Sequence, residues 1–502
     1  MPVLKIVAFL FIFLYVLPFM TVLCCMFPSF RHVCFAGMFY FTSNEYSLNF
    51  VPMPDWTGTA RGYAFTAVSL FAVPLLMSMF FGIKYKVKLF PPGSFFYFLY
   101  YLSILLSGIN AVHMRQWGFE VYKMFWMYIT FLAAFNYLNN SKNLVFFVYV
   151  VCCTLSILFF YSLYQKYRMG IFQIYSTFPH QNSLTLYLEL FGLLMLGVLM
   201  NERMSKVLFV FCLFAFCGSA LQIVFTYSRG GLVVFFGGIA IVCTLSILFN
   251  GFSTRRLTLM LIGLIVMLGI VGYALPRIIL RFTKAPESSK NTRIYLAIAA
   301  RRMADDYKLG VGANNFSEYS SSNWSYAQEQ HENISGHYES GPIVETIYLL
   351  VAAECGWWGL VILLLWFLYY YFSDIITLFV LRRKPCSGIA IGIFGGLTCN
   401  YWHSTLEWSL KQFNNFAGQM ILYALIGVLA VNRKKIKIAY QRSLEREKML
   451  EEQKKRLRAQ AASSSQVKSV LPRARIAAAP EVHQESVPSL QPVDADINSE
   501  KE

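Results

Sequence analysis

"VLFVFCLFAFCGSALQIVFTYSRGGLVVFFGGIAIVCTLSILFN", residues 207–250, carries a single charged side chain, Arg229. On either side of it, 206–227 and 230–249 each run for roughly the 20 residues that cross a bilayer's hydrocarbon as a helix. Neither half alternates polar with apolar positions, so barrel strands are excluded and helices are expected. Arg229 therefore sits in a "SRGG" turn at a membrane face. Which face, and to what purpose, depends on the rest of the chain.

The same pattern recurs throughout the 502 residues, of which 57% are hydrophobic and only 14% charged. Soluble domains carry about 25% charged residues. Apolar stretches fall at 3–27, 62–83, 94–112, 118–138, 143–164, 183–200, 206–227, 230–249, 256–275, 343–371, 387–404 and 412–432. The expected fold is an all-α polytopic membrane protein of about 12 transmembrane helices. The first stretch is too long for a signal-peptide core and lacks a small-residue cleavage site, so it reads as a retained helix.

Basic residues favour the cytoplasmic side of short loops. With the N-terminus inside, the inner loops hold Lys84, Lys86, Lys88, Lys142, Arg203, Lys206, Arg255, Arg256, Arg382, Arg383 and Lys384, and "RKKIK" follows at 433–437. An even number of crossings then predicts both termini cytoplasmic. Four regions result: 1–275 with the first nine helices, 276–342 as one large extracytoplasmic loop with short helices, 343–432 with the last three helices, and 433–502 as a charged cytoplasmic helix and disordered tail. The +17 net charge is explained by attraction to membrane lipids, since no basic face interleaved with stacking aromatics points to nucleic acid.

The eleven cysteines include no CxxC pair and no zinc spacing, and no phosphate-loop, GxSxG or HExxH pattern occurs. ATP hydrolysis, hydrolase-elbow and zincin chemistries therefore have no support, and no motif names a cofactor. Seven basic residues, among them Arg229, lie in the short outer loops, where charge bias should have removed them. Arg229 either reaches lipid headgroups or offers its guanidinium fork to a phosphate. The outer loop contains "SSKNTRIYLAIAARRMADDYKLGVGANNFSEY" (288–319), an Ala-rich helical stretch bearing Arg293 and Arg301, then a glycine turn suited to close backbone approach. Asp305 and Asp306 read as a solvated helix end.

Four places resemble the bacterial O-antigen ligase and polymerase superfamily. "TFPHQNSLTLYLEL" (177–190) resembles its "hpN-LA" entry to a middle span, and "TYSRGGLVVFFGG" its "SRgg" turn. "TRIYLAIAARRMADDYKLGVGANNF" resembles its "R-x-x-x-w … d-P-l-GvG-x-x-f" segment, and "YLLVAAECGWWGLVILLLWF" its "E-x-G" span start. The superfamily includes lipopolysaccharide ligases, O-antigen polymerases and pilin-type O-oligosaccharyltransferases. The resemblance implies a GT-C-like membrane glycosyltransferase of the bacterial inner membrane. It would move a glycan from an undecaprenyl-diphosphate carrier to lipid A core, a growing glycan or a protein hydroxyl, without a metal. Arg229 and Arg293 match arginines that hold the diphosphate, with Arg301 as a further candidate. Ligases of the family often carry a histidine about nine residues before the "E-x-G" glutamate; counting back from Glu354 reaches Glu345. His337 is therefore the expected base and Glu345 an acceptor-orienting carboxylate.

In "YWHSTLEWSLKQF" (401–413), His403, Glu407 and Lys411 are spaced by four, which on a helix aligns them on one face. They read as donor or acceptor contacts or as a salt-bridge ladder. His180 and Asn182 either join that site or cap the helix that follows. The expected function is O-antigen ligase-like transfer. Polymerisation of O-antigen or exopolysaccharide and protein O-oligosaccharyl transfer are the alternatives within the superfamily. A transporter or flippase of polysaccharide or lipid-linked glycan is the alternative of another class. It would place ionisable groups near the bilayer midplane, and the candidates Glu120, Lys123 and Glu189 lie near span ends.

Overall fold

The computed structural model describes residues 2–82, 86–283, 287–321, 324–327 and 341–470. Each of the twelve apolar stretches contains a helix. The chain opens with α1 (Val3–Met26) and α2 (Pro28–Tyr40), followed by a hairpin of β1 (Ser47–Pro52) and β2 (Gly62–Thr66). Then come α3 (Ala67–Phe80), α4 (Ser94–Ser107), α5 (Met114–Leu138), α6 (Ser141–Leu163), α7 (Gln181–Asn201), α8 (Lys206–Thr226) and α9 (Arg229–Asn250). The remaining helices are α10 (Thr254–Thr283), α11 (Glu287–Asp306), α12 (Ile347–Val380), α13 (Ser387–His403) and α14 (Phe413–Val470). Among the described residues, seven helices are long and apolar enough to cross a membrane: α1, α6, α7, α8, α9, α12 and α14. The protein is thus an all-α integral membrane protein, and α3 and α4 are shorter apolar helices.

The two ends of the bundle differ in chemistry. At one end, the start of α5 is tied down by His113, whose backbone N–H donates to Asn315 Oδ1 at 2.8 Å. The hairpin joins it there, with the Ala60 N–H donating to Asn314 Oδ1 at 3.0 Å. At the far end of α5, Asn432 of α14 donates to Asn139 Oδ1 at 2.8 Å. That far end collects the basic turns. Arg255 donates to the Glu202 carbonyl at 2.9 Å, Arg256 to the Gly251 carbonyl at 2.7 Å, and Arg382 to the Phe249 carbonyl at 3.2 Å. These are orphan carbonyls at helix C-termini, where a cation also favours the helix dipole.

The path of the chain differs from the expectation at its beginning. Phe9 of α1 stacks on Phe50 of the hairpin at 4.4 Å, so α1 starts at the hairpin end. Its other end reaches the basic end, where Arg31 donates to the carbonyls of Cys24 and Ser78 at 3.1 and 3.3 Å. Then α2 runs back toward the hairpin. Its 13 residues are too few for a span, and Arg31 and His32 made it look like a loop. Because of it, the start of α1 and the exit of α14 lie at opposite ends of the bundle.

Two expected boundaries also fall inside helices. The backbone of α10 continues through Pro276 to Thr283, and α14 runs unbroken past 432. Residues Gln441–Glu502 form a separate unit, helical and charged as far as Val470.

Two close approaches position the site. In α13, Gly388, Gly392 and Gly396 recur every four residues and press on α7; a Cβ at Gly392 would stand 2.7 Å from Leu194 Cα. Small residues let two helix backbones approach in this way. The second is a break in α12 at Gly356, where φ is 74° and ψ 171°. It frees the carbonyls of Ala353 and Glu354, which accept from the N–H groups of Val311 and Gly312 at 2.9 and 3.1 Å. The "LGVG" turn therefore approaches a backbone, as its glycines suggest, and that backbone is α12. Behind it, α11 buries Leu296, Ala299, Ala300 and Met303 against Val344, Leu350 and Ala353. This small core fixes the height of Arg293.

Candidate functional site

Where α7, α9, α11 and α13 meet at the hairpin end, several polar side chains converge. Most are delivered by a helix terminus or the loop beside it, whereas Arg293 and Glu189 come from within α11 and α7. His180 is the N-cap of α7, with its Nδ1 accepting from the Asn182 N–H at 3.3 Å. This satisfies one orphan donor of the first turn. The Asn182 amide donates to the Glu407 carboxylate. Glu407 itself follows the end of α13, 5% exposed. On the other side, the Arg293 guanidinium forms an ion pair with Glu345, and the two side chains remain 44% and 41% exposed. That openness sets this pair apart from a structural salt bridge.

The "SRGG" turn closes the ring. Tyr227 ends α8 in the left-handed region at φ 49°, and Ser228 caps α9 by accepting from the Gly231 N–H at 3.3 Å. Arg229 is therefore the first residue of α9 and half-buried. A Cβ at the neighbouring Gly230 would stand 3.5 Å from His403 Nε2. His403, at the end of α13, bonds through Nδ1 to Glu189 Oε1 of α7 at 2.8 Å, and both are buried. An ionised Glu189 accepts from Nδ1–H, which turns Nε2 toward α9.

The electrostatics follow from burial and neighbours. Burial pushes Glu407 up to about 7; the Glu345 charge adds to this, while His403, the Asn182 amide and Arg293 oppose it. Burial lowers His180, with Arg293 lowering it further and Glu345 acting against both. Each of these groups feels Arg293 and Glu345, so they form one electrostatic unit. A carboxyl poised near neutrality can take a proton, and the half-exposed Arg293 beside it can hold an anion.

Of the residues singled out from sequence, His180, Asn182, Arg293, Glu345, His403 and Glu407 are thus in one place, with Arg229 beside them. Others lie elsewhere. Arg301, two turns further along α11, is 75% exposed and reaches Asp305 at 3.7 Å. Asp305 and Asp306 accept from Trp357 Nε1 and the Tyr326 hydroxyl at 2.9 and 2.7 Å. His337, like His331, lies outside the described residues.

Lys411 corrects the idea of a shared helix face. Because α13 ends at His403 and a 3-10 turn spans Ser409–Lys411, the spacing of four does not align the three side chains. Lys411 instead enters a buried cluster, 2.6 Å from Glu354 Oε2 and 3.1 Å from Glu120 Oε1. Lys123 completes it at 2.7 Å from Glu120 Oε2. This cluster clamps α5, the broken α12 and the 404–412 segment together.

Glu189 was named from sequence only as a midplane candidate for transport. Its signal was nonetheless plain: one acid in the otherwise uncharged 183–200 run. An ionisable residue within a span points to a functional or paired role.

A helical membrane protein with an arginine–carboxylate–histidine cluster at one end is thereby defined. Residues 210–364 match the family model described as O-antigen ligase, a match that supports membership of the O-antigen ligase superfamily. Members of that superfamily are glycosyltransferase-like enzymes, ligases and polymerases, which act on glycans and glycan acceptors. No curated protein matches the chain. The matched segment includes Arg229, Arg293, Glu345 and Glu354, whereas His180, Asn182, Glu189, His403 and Glu407 lie outside it.

Proposed function

We propose that the protein transfers a glycan from an undecaprenyl-diphosphate carrier to an acceptor hydroxyl at the extracytoplasmic face of the bacterial inner membrane, in the manner of an O-antigen ligase. The observation that carries this reading is the half-open Arg293–Glu345 pair standing within electrostatic reach of Glu407 and His180. Collection of the basic turns at the other end supports the orientation, because positive charge favours the cytoplasmic side. On this reading the N-terminus is extracytoplasmic.

Arg293 and Arg229 hold the diphosphate through bidentate hydrogen bonds. The acceptor oxygen attacks C1 of the first sugar as the C1–O bond to the diphosphate breaks. Undecaprenyl diphosphate leaves with the electron pair, its growing charge stabilised by the arginines, which fill the place a divalent cation takes elsewhere. Glu407 takes the hydroxyl proton, since a base near the working pH is the most effective. Asn182 holds Glu407 in place, and Glu189 fixes the ring of His403 beside the α9 N-terminus. Glu345 keeps Arg293 extended until the donor arrives.

The test is transfer by purified protein in nanodiscs, read as release of undecaprenyl diphosphate from a carrier-linked donor. Arg293→Ala is expected to abolish release, and Arg293→Lys to restore little of it, because an ammonium lacks the guanidinium fork. Wild-type rates in both variants sink the proposal.

A further inference from the structure

Beside the site, and separated from it by Pro179 and the 411–413 turn, lies a cavity of about 400 Å³ between the hairpin and α5. That size is in the usual range of pockets for small ligands. Its wall combines two chemistries. Tyr122 and Trp126, one helical turn apart on α5, set their rings edge to face with centroids 5.9 Å apart. Around them stand Glu45, Arg61, Lys123 and Lys411.

The charges of that wall are matched. Lys123 and Lys411 are taken up by Glu120 and Glu354, and Glu45 lies within the field of Arg61. A cavity without surplus positive charge is a poor host for a diphosphate. Aromatic edges and faces alternating with polar groups suit a ligand with apolar C–H faces and a rim of hydroxyls.

We propose that this cavity is a carbohydrate subsite that receives an uncharged sugar ring next to the transfer site. The inference rests on the transferase reading above. The sugar comes either from the carrier-linked donor or from a glycan acceptor. Both present the same chemistry, and kinetics separate them. The hairpin supplies one wall, so β1 and β2 act as a specificity element placed over the bundle.

The probe is the oligosaccharide freed from the producing strain's undecaprenyl carrier by mild acid, with its phosphates removed. Binding to the full chain in nanodiscs is followed by saturation-transfer NMR, with inorganic pyrophosphate as the charged competitor. Ring protons of the sugar should show transfer in the wild type, and pyrophosphate should leave that signal unchanged. Ala64→Trp fills the cavity from β2, and Tyr122→Leu removes one ring. Each should weaken binding roughly tenfold, the upper range of an aromatic contact, while melting close to the wild type. If Ala64→Trp does not fold, Tyr122→Leu decides alone. In transfer assays, a raised KM for the carrier-linked donor assigns the sugar to the donor, and a raised KM for the acceptor assigns it to the acceptor. Absence of a wild-type signal, its loss to pyrophosphate, or unchanged binding in the folded variants overturns the subsite. Binding is read without transfer, so Arg293→Ala should still bind the sugar. Failure of the transferase reading would appear only in the release assay.

Discussion

Two charged clusters lie near each other and are built from the same residue types. In one, Arg293 and Glu345 are 44% and 41% exposed and border the carboxyl of Glu407. In the other, Lys411, Glu120, Glu354 and Lys123 have side chains between 1% and 9% exposed. Charges sealed from water contribute to stability only through their partners, and removing one leaves the rest stranded. Charges left half in water remain available to a ligand. On the proposed function the first cluster carries the chemistry, while the second holds three segments in register.

The difference can be broken by substitution. Arg293→Ala should lower transfer about 10³-fold, the scale of losing a charge-stabilising donor, with little change in melting temperature. A stability loss instead would move Arg293 into the structural class. Lys411→Met should act the other way, destabilising the fold by about 3–5 kcal/mol, as expected when a buried ion cluster loses a partner. Fluorescence-detected melting in detergent would show it, and a fully stable Lys411→Met would mean the cluster clamps nothing.

Glu407→Gln should cut the transfer rate roughly 10²-fold, the scale of removing a general base. In the wild type the rate should rise with pH through about 7 and then level, because the carboxylate form is the base. Stability should show the opposite slope. Glu407 is raised in the fold, so between the ordinary carboxylate range and pH 7 the folded state holds more protons, and stability falls as pH rises there. Glu407→Gln should flatten both profiles. Should His337→Ala remove the rate while Glu407→Gln spares it, the base is His337. The smallest effect is expected from Arg301→Ala, whose exposed pair with Asp305 is of the kind worth about 0–1 kcal/mol. Its transfer rate should match the wild type, and a large loss would return Arg301 to the diphosphate site.

Much of this site was visible in the chain. Arg229, Arg293 and Glu345 stood out because motif order and charge bias singled them out in a sequence where charge is scarce. Asn182 and His180 were recognisable as a helix entry, and the structure adds that Asn182 reaches Glu407. The spacing of His403, Glu407 and Lys411 misled, because a period of four has meaning only while the helix continues. α2 was missed because thirteen residues with Arg31 look like a loop until carbonyls of two other helix ends are brought to the guanidinium.

The class of fold is legible in the chain alone, since water and lipid sort side chains over lengths that can be read directly from it. The chain also shows which polar residues are out of place, because each buried or membrane-facing charge is costly and therefore conspicuous. The tertiary structure decided the partners: Glu189 with His403, Asn182 with Glu407, Lys411 with Glu120 and Glu354. Those pairs join residues far apart in the chain, brought together by a glycine stripe on α13 and a broken helix at Gly356. The stripe's period of four can be read in the sequence, but its partner cannot, because close backbone approach depends on what lies opposite each glycine.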